Sequence, residues 1–358
     1  MKKIIFYGTA FALLFVIYLT IMSSTSGKRF VNPTLEAQFS PKISDVFKMS
    51  REGREKWRKN GDGASAAAAM VGKEAGSWPR LKEKEVLQEG EVAVTFVGHA
   101  TFLIRTSGLT ILTDPVWSDR ASPVRWAGPK RVTKPGVEFD SLPAIDVVLI
   151  SHNHYDHLDK RTLKELEKRF SPLVLVPVGD KKRVESFGIK NVQELDWWES
   201  VEVNESTTIT FTPQQHGSGR GLFDRNKSLW GSFFIRQGER SMYFGGDGGY
   251  STHFSDIKER LGSPEIALLG IGSYKPEFFM KPIHTSPAEA VQAHKDLGAK
   301  RSIGMHFGTF QMSSEGFEEP VEDLKIAIEK EGLAEDEFIV MQEGETKFAF
   351  PRIITTFD

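Results

Sequence analysis

The chain has 358 residues, of which 39% are hydrophobic, and a formal net charge of −2 at pH 7. This hydrophobic content is enough for a folded core. The nearly balanced charge gives no bulk attraction to nucleic acid, so we predict no nucleic-acid partner. Because the chain contains no cysteine, it has no disulfides and no thiolate ligands, and any metal must be held by His, Asp or Glu.

The first residues predict a membrane anchor. Lys2 and Lys3 precede an uncharged run from Ile4 to Met22, which is long enough to cross a bilayer as a helix of about 20 residues. A cleaved signal peptide usually has a shorter apolar region, and it is the alternative interpretation. The flanking charges favour an extracytoplasmic catalytic domain. The predicted divisions are an anchor or signal segment (1–28), a polar connector that wraps the body without carrying chemistry (29–90) and a catalytic domain (91–358).

From Glu91 onward, apolar runs of strand length alternate with helical patterns. The predicted strands, in chain order, are EVAVTFVGHATFLIRT, LTILTD, AIDVVLIS, PLVLVPV, TTITFTP, LWGSFFIRQ, SMYFGGD and IALLGIG. The predicted helices are KRTLKELEKRF, HFSDIKERLG, SPAEAVQAHKDLG and PVEDLKIAIEKEG. The third helix begins with a capping box of Ser286 and Glu289, with Pro287 at its first position. This order predicts an α/β fold of two sheets packed face to face, with helices outside and a site at the strand ends.

The segment SHNHYDHLD, residues 151–159, gathers three of the nine histidines directly after an apolar strand. His152 and His154 are two residues apart, and in extended backbone such side chains point to the same side. Both can therefore bind one ion. Asp156 and His157 follow after the chain has turned, so they face a second position. An ion bound by the protein needs three or more protein ligands, so we expect the remaining ligands further along the chain.

Three later residues, each at the end of a predicted strand, complete the set: His216 in TPQQHGSG, Asp247 in YFGGDGGY and His306 in IGMHFGTF. A carboxylate has two oxygens, so Asp247 can bridge two ions, as in two-metal hydrolases. The predicted cofactor is a pair of Zn²⁺ ions per chain, and iron or manganese are alternatives because His and Asp sites also accept them. The predicted ligands are His152, His154, His216 and Asp247 for one ion, and Asp156, His157, Asp247 and His306 for the other.

With these later ligands, HNHYDH matches the HxHxDH signature, and the chain resembles the metallo-β-lactamase superfamily. The resemblance implies a four-layer αββα sandwich and a two-zinc site. Stretches from TFVGHATFLI to MHFGTF are similar to N-acylphosphatidylethanolamine-hydrolysing phospholipase D and its bacterial relatives. That similarity implies hydrolysis of N-acylphosphatidylethanolamine-like glycerophospholipids to phosphatidic acid and N-acylethanolamine, with a metal-bound hydroxide as the nucleophile.

The same resemblance bears on His284, in KPIHTS, which is similar to the histidine that lines the active site in the phospholipase family. It would contact the phosphate or protonate the leaving alkoxide. We therefore name Asp156, Asp247 and His284 as the catalytic residues. For His99 we leave open a structural role and a supporting role beside the metal ligands, and we interpret His253 and His294 as core residues.

Two other functions stay open from the sequence. Another metal-dependent hydrolysis on the same scaffold, of a lactone, a sugar-phosphate lactone or a cyclic phosphodiester, would use the same ligands. The alternative of a different class is a non-catalytic metal-binding scaffold protein. The sequence does not specify an oligomeric state.

Overall fold

The computed structural model describes residues 29–35, 87, 90–221 and 223–348. The predicted anchor and most of the predicted connector lie outside these residues. Among the helices that are described, none combines the length and the apolar character needed to cross a membrane.

Seven strands form the first sheet: β1 (Val92–Gly98), β2 (Thr101–Thr106), β3 (Thr110–Thr113), β4 (Val147–Leu149), β5 (Leu173–Pro177), β6 (Val192–Leu195) and β14 (Thr346–Phe348). Their order across the sheet is β14-β1-β2-β3-β4-β5-β6. β1, β2 and β3 are antiparallel neighbours, whereas β3 to β6 run parallel. The ends of β3 and β4 therefore lie side by side at one edge of the sheet.

Seven strands form the second sheet: β7 (Ser200–Asn204), β8 (Thr207–Thr212), β9 (Ser232–Gln237), β10 (Arg240–Phe244), β11 (Ile266–Gly270), β12 (Arg301–Met305) and β13 (Phe338–Ile339). Their order is β13-β12-β11-β10-β9-β8-β7. β7 to β10 are antiparallel neighbours, and β10 to β13 run parallel. Each sheet thus combines an antiparallel part with a parallel part.

The described helices are α1 (Lys160–Phe170), α2 (Lys181–Glu185), α3 (His253–Leu261), α4 (Glu277–Met280), α5 (Pro287–Leu297) and α6 (Glu319–Glu331). The predicted capping box at the start of α5 is confirmed: Ser286 accepts a hydrogen bond from the Glu289 amide, and the Glu289 carboxylate accepts one from the Ser286 amide. Asp159 caps α1 by accepting from the Arg161 amide. This cap ends the predicted metal loop and starts the helix.

Alternate residues of the strands face opposite layers. In β2, Phe102 and Ile104 belong to the core between the sheets, whereas Leu103 packs with residues of α1 and α2. In β9, Phe233 and Ile235 face the same central core, whereas Phe234 packs with residues of α3, α5 and α6. The order of layers is therefore helix, sheet, sheet, helix, which confirms the predicted αββα sandwich.

Candidate metal centre

The predicted metal loop is fixed at its start by Ser151, where the two sheets meet. The Ser151 amide donates to Asp114 Oδ1 (2.7 Å), and the Ser151 hydroxyl donates to Asp114 Oδ2 (2.5 Å). From the second sheet, the Gly231 amide donates to the Ser151 carbonyl (3.0 Å). Gly246 has a φ of +58°, and a β-carbon there would lie 2.6 Å from that of Ser151. Glycine at this position therefore lets the two ligand-bearing edges approach each other.

The first group of predicted ligands consists of three histidines from both sheets. His152 Nε2 lies 2.9 Å from His154 Nδ1, and His154 Nδ1 lies 3.3 Å from His216 Nε2. His152 and His154 follow β4 in the first sheet, whereas His216 follows β8 in the second. His216 Nδ1 donates to the Ile283 carbonyl (2.8 Å), which turns Nε2 towards the other two rings. Three ring nitrogens thus converge on one point.

The second group combines Asp156, His157 and His306. Asp156 Oδ2 lies 3.2 Å from His157 Nε2 and 3.4 Å from His306 Nε2. All three side chains are buried. Asp156 and His157 come from the loop after β4, and His306 follows β12, so this group also joins the two sheets.

Asp247 lies between the two groups. Its Oδ2 is 3.1 Å from His157 Nε2 and 3.0 Å from His306 Nε2. The same oxygen is 3.9 Å from His216 Nε2 in the first group. Asp247 therefore lies where its carboxylate could contact ions held by both groups, and its bridging role stays a prediction.

A buried polar atom without a hydrogen-bond partner indicates whether these residues suit metal ions. Asp247 Oδ1 is buried and has no hydrogen-bond partner, although buried polar groups normally have one. A bound cation would give such a carboxylate oxygen a partner, and the surrounding imidazole and carboxylate donors suit Zn²⁺ and related ions. The described residues therefore fit a pair of metal ions, and the role of each residue as a ligand stays a prediction.

Burial keeps the first group in the form that binds metals. It lowers the pKa of His154 to about 3 and the pKa of His152 well below its usual value. Burial also lowers the pKa of His216. These rings are therefore neutral at pH 7, and a neutral imidazole has the free lone pair that a metal requires.

The two histidines of the second group, His157 and His306, are protonated in the absence of metal. Burial acts to lower the pKa of His306, but the Asp247 and Asp156 carboxylates outweigh it and raise that pKa to about 9. His157 has a pKa well above its usual value, because Asp247, Asp156 and Asp114 likewise outweigh burial. Bound ions would displace these protons, since metal ligands bind in their deprotonated forms.

Asp114 was not identified from the sequence, although it directly orients a predicted ligand. Its Oδ2 accepts a hydrogen bond from His157 Nδ1 (2.6 Å), and both side chains are fully buried. This contact places the proton on Nδ1 and leaves Nε2 facing the site. An acidic residue directly after the apolar run LTILT was the available signal.

We expect Asp114→Asn to weaken metal binding by about 10- to 100-fold, because an amide can donate to His157 Nδ1 and favour the wrong tautomer. Chelator competition on the metal-free protein measures the change. Asp296→Asn is the matched control, because its carboxylate accepts from Tyr250 and Gln292 outside the cluster. Equal losses in both variants would contradict the role of Asp114.

His284 lies at the rim of the cluster. Its Nδ1 is 3.9 Å from Asp247 Oδ2, and its ring centre is 5.2 Å from that of His216. It is partly exposed, whereas the predicted ligands His216 and Asp247 are buried. This position leaves His284 able to reach a molecule bound at the centre.

His99 also belongs to the cluster, and its contacts favour the supporting role left open for it. His99 Nε2 is 2.9 Å from Asp156 Oδ2, so His99 supports a predicted ligand. His253 and His294 lie apart from the centre as interpreted from the sequence: His253 contacts Ser251, and His294 contacts Ser302 on β12.

The profile of the β-lactamase superfamily domain matches residues 110–307, which contain every predicted ligand. This chain belongs to the metallo-β-lactamase superfamily. Its relatives in the superfamily include proteins that are named as hydrolases. The chain is therefore a metal-dependent hydrolase, as predicted. The His and Asp groups together with these relatives indicate a dinuclear metal site.

Two curated relatives within the superfamily share high identity with the chain. The N-acyl-phosphatidylethanolamine-hydrolyzing phospholipase D 1 of Caenorhabditis elegans is 40% identical over 270 residues, covering 72% of this chain and 76% of that protein. The mitochondrial N-acyl-phosphatidylethanolamine-hydrolyzing phospholipase D of Saccharomyces cerevisiae is 43% identical over 241 residues, covering 66% of this chain and 51% of that protein. The chain thus spans about half the length of the yeast relative.

A solved structure shows a similar fold. The metallo hydrolase of Ignicoccus hospitalis aligns with a TM-score of 0.56 at 22% identity, covering 73% of this chain and 99% of that one. This similarity supports the two-sheet architecture described above.

Proposed function

We propose that the chain is a phosphodiesterase of the phospholipase D type that hydrolyses N-acylphosphatidylethanolamine-like glycerophospholipids. The observation that carries the proposal is the position of Asp247 Oδ2, within 3.0 to 3.9 Å of nitrogens from both ligand groups. A carboxylate that joins two ions is the arrangement of two-metal phosphoesterases. The substrate class comes from the 40% identical relative, which is named for this hydrolysis.

The proposed ligands are His152, His154, His216 and Asp247 for one ion, and Asp156, His157, Asp247 and His306 for the other. The proposed metal is zinc, and iron or manganese would suit the same His and Asp donors. When bound, such a pair of ions lowers the pKa of water towards neutrality and offsets the negative charge on phosphate oxygens.

The reaction breaks the bond between phosphorus and the oxygen of the N-acylethanolamine. The oxygen of water becomes part of phosphatidic acid, and the leaving alkoxide takes up a proton. His284 would donate a hydrogen bond to the phosphate or pass a proton to this alkoxide, because it reaches into the centre from the rim. No covalent bond to the protein is needed.

A lipid-hydrolysis screen in heavy-oxygen water tests the proposal. The zinc-loaded protein should form phosphatidic acid that contains the heavy oxygen, together with unlabelled N-acylethanolamine. Unacylated phospholipids, a lactone and a cyclic phosphodiester are included as competing substrate classes. Turnover of the lactone or the cyclic diester alone would overturn the proposal in favour of another hydrolase of the superfamily.

We further propose that residues 1–28 attach the enzyme to the membrane on which its lipid lies. Deleting these residues should leave metal content and turnover of dispersed lipid unchanged and lower efficiency on bilayers, because tethering raises only the local substrate concentration. The deletion must stop before Asn32. The side-chain oxygen of Asn32 accepts from the His216 N–H (3.0 Å), and its side-chain nitrogen donates to the His216 carbonyl (2.8 Å).

A longer deletion, of residues 1–35, provides the comparison for this experiment. We expect it to weaken metal binding as well, because His216 loses its two hydrogen bonds to Asn32. If the shorter deletion abolishes turnover of dispersed lipid in a folded, metal-loaded protein, residues 1–28 belong to the active site and this division of the chain is wrong.

A further inference from the structure

Arg220 contacts the predicted metal loop from outside the ligand set. It lies four residues after His216, and it is partly buried. One nitrogen, Nη1, donates to the carbonyl oxygens of Asn153 (2.8 Å), His154 (3.3 Å) and Leu158 (2.7 Å). Three carbonyls of one short loop thus converge on a single cationic group.

The guanidinium is also held in place by Tyr155, a residue of the same loop. Its Cζ lies 3.8 Å from the centre of the Tyr155 ring, and the Tyr155 hydroxyl donates to the Arg220 carbonyl (2.9 Å). The two residues therefore fix each other through a cation–π contact and a hydrogen bond. Within the described part of the chain, Arg220 forms no direct ion pair with a carboxylate, and its hydrogen bonds go to backbone oxygens.

The loop that carries Arg220 is itself anchored. Asp224 Oδ1 accepts hydrogen bonds from the amides of Arg220 (2.9 Å) and Gly221 (2.7 Å). On the other side, the Gly219 amide donates to the Asn153 side chain (2.7 Å). Arg220 thus connects the loop that contains His216 with the loop that contains the other histidines of the first group.

We propose that Arg220 is a positioning residue that shapes the loop of residues 152–158 for metal binding, and that it does not bind the substrate phosphate. The inference rests on the proposed metal ligands. Hydrogen bonds from a charged donor are roughly twice as strong as neutral ones, so this contact is suited to hold carbonyls of one tight loop together. With Nη1 occupied by the loop, Arg220 acts on His154 and its neighbours, and bound ions would offset the charge of the phosphate.

The test compares Arg220→Met and Arg220→Lys with the full-length parent. Chelator competition on the metal-free proteins measures metal dissociation constants, and kcat and KM are then measured at saturating metal. We expect the methionine variant to bind metal about 10- to 100-fold more weakly, as for other residues that orient ligands, with an unchanged KM. The lysine variant should lie between methionine and the parent, because an ammonium keeps the charge and three donors but loses planar stacking on Tyr155.

Arg131→Met is the matched control. Arg131 also donates to two backbone carbonyls, those of Val116 (2.6 Å) and Ser118 (3.3 Å), and its guanidinium lies over the Phe310 ring. The carbonyls that Arg131 contacts belong to a segment without predicted ligands. This variant should therefore keep the metal affinity of the parent.

Three results would overturn the inference. Unchanged metal affinity with a raised KM in the Arg220 variants would assign the residue to substrate binding. An equal loss of metal affinity in Arg131→Met would indicate general destabilisation. A parent protein that binds no metal would remove both this inference and the metal site. By contrast, a parent that binds two ions without hydrolysing the phospholipid would contradict only the proposed substrate.

If Arg220→Met does not fold, the comparison of metal affinity with the parent is made with Arg220→Lys alone.

Discussion

Asp247→Asn should lower kcat by about 10³-fold and reduce the bound metal from two ions per chain to one. The variant loses the negative charge that both ligand groups share, since Asp247 Oδ2 lies within 3.1 Å of His157 and His306 and faces His216 as well. Metal ions contribute several kcal/mol to stabilising a transition state. A loss of about 4 kcal/mol corresponds to about 10³ in rate. Metal analysis and steady-state kinetics measure both effects.

Asp296→Asn is the control for this variant, because its carboxylate accepts from Tyr250 and Gln292 outside the cluster. It should keep two ions and the turnover of the parent. The neighbouring glycines are unsuitable controls, since a β-carbon at Gly246 would lie 2.6 Å from that of Ser151. If Asp247→Asn retains parental turnover with two ions bound, the bridging role is wrong.

His284→Ala should lower kcat on an alkoxide leaving group by about 10² to 10⁴, the range typical of general acid–base catalysis. On an activated p-nitrophenyl phosphodiester the loss should be much smaller, because that leaving group departs without a proton. Burial lowers the pKa of His284 well below its usual value, so the ring is neutral in the metal-free protein. To protonate the alkoxide, the ring would therefore first have to take up a proton released by the attacking water.

The two substrates separate the possible roles of His284. Equal losses on both, together with a raised KM, would assign His284 to holding the phosphate. The control is His294→Ala, which removes a histidine that contacts Ser302 on the outer face of the second sheet. This variant should leave the ratio of the two rates unchanged.

The side chains of the predicted ligands lie close together, as the sequence indicated, because each of them is in a loop that follows a strand. The two-residue spacing of His152 and His154 correctly placed both rings on one side, with their nitrogens 2.9 Å apart. Strand ends also placed His216, Asp247 and His306, because loops from both sheets meet at one edge of the sandwich. Local sequence patterns were sufficient to predict the position of a side chain wherever its direction depends on its own strand.

Residues that act through long-range contacts could not be predicted in the same way. Asp114 supports the metal loop only because β3 and β4 pair in parallel, with Thr113 opposite Leu149. His99 reaches Asp156 from a left-handed backbone conformation with a φ of +60°, which is uncommon for residues other than glycine. Asn32 contacts His216 across 184 residues of chain. Strand pairing, backbone strain and distant contacts of this kind arise from the whole fold.

The origin of the ligands in both sheets has a consequence for the lifetime of the folded chain. Asp156 belongs to the first sheet and His306 to the second, 150 residues later, so an ion bound to both would be a removable cross-link between the two halves. Such an ion, present at about 1,000 times its dissociation constant, adds about 4 kcal/mol to the free energy of unfolding. In a chain without cysteine, it would take the place of a covalent bridge. When metal is scarce, the enzyme would then lose its activity and would also become more susceptible to proteolysis.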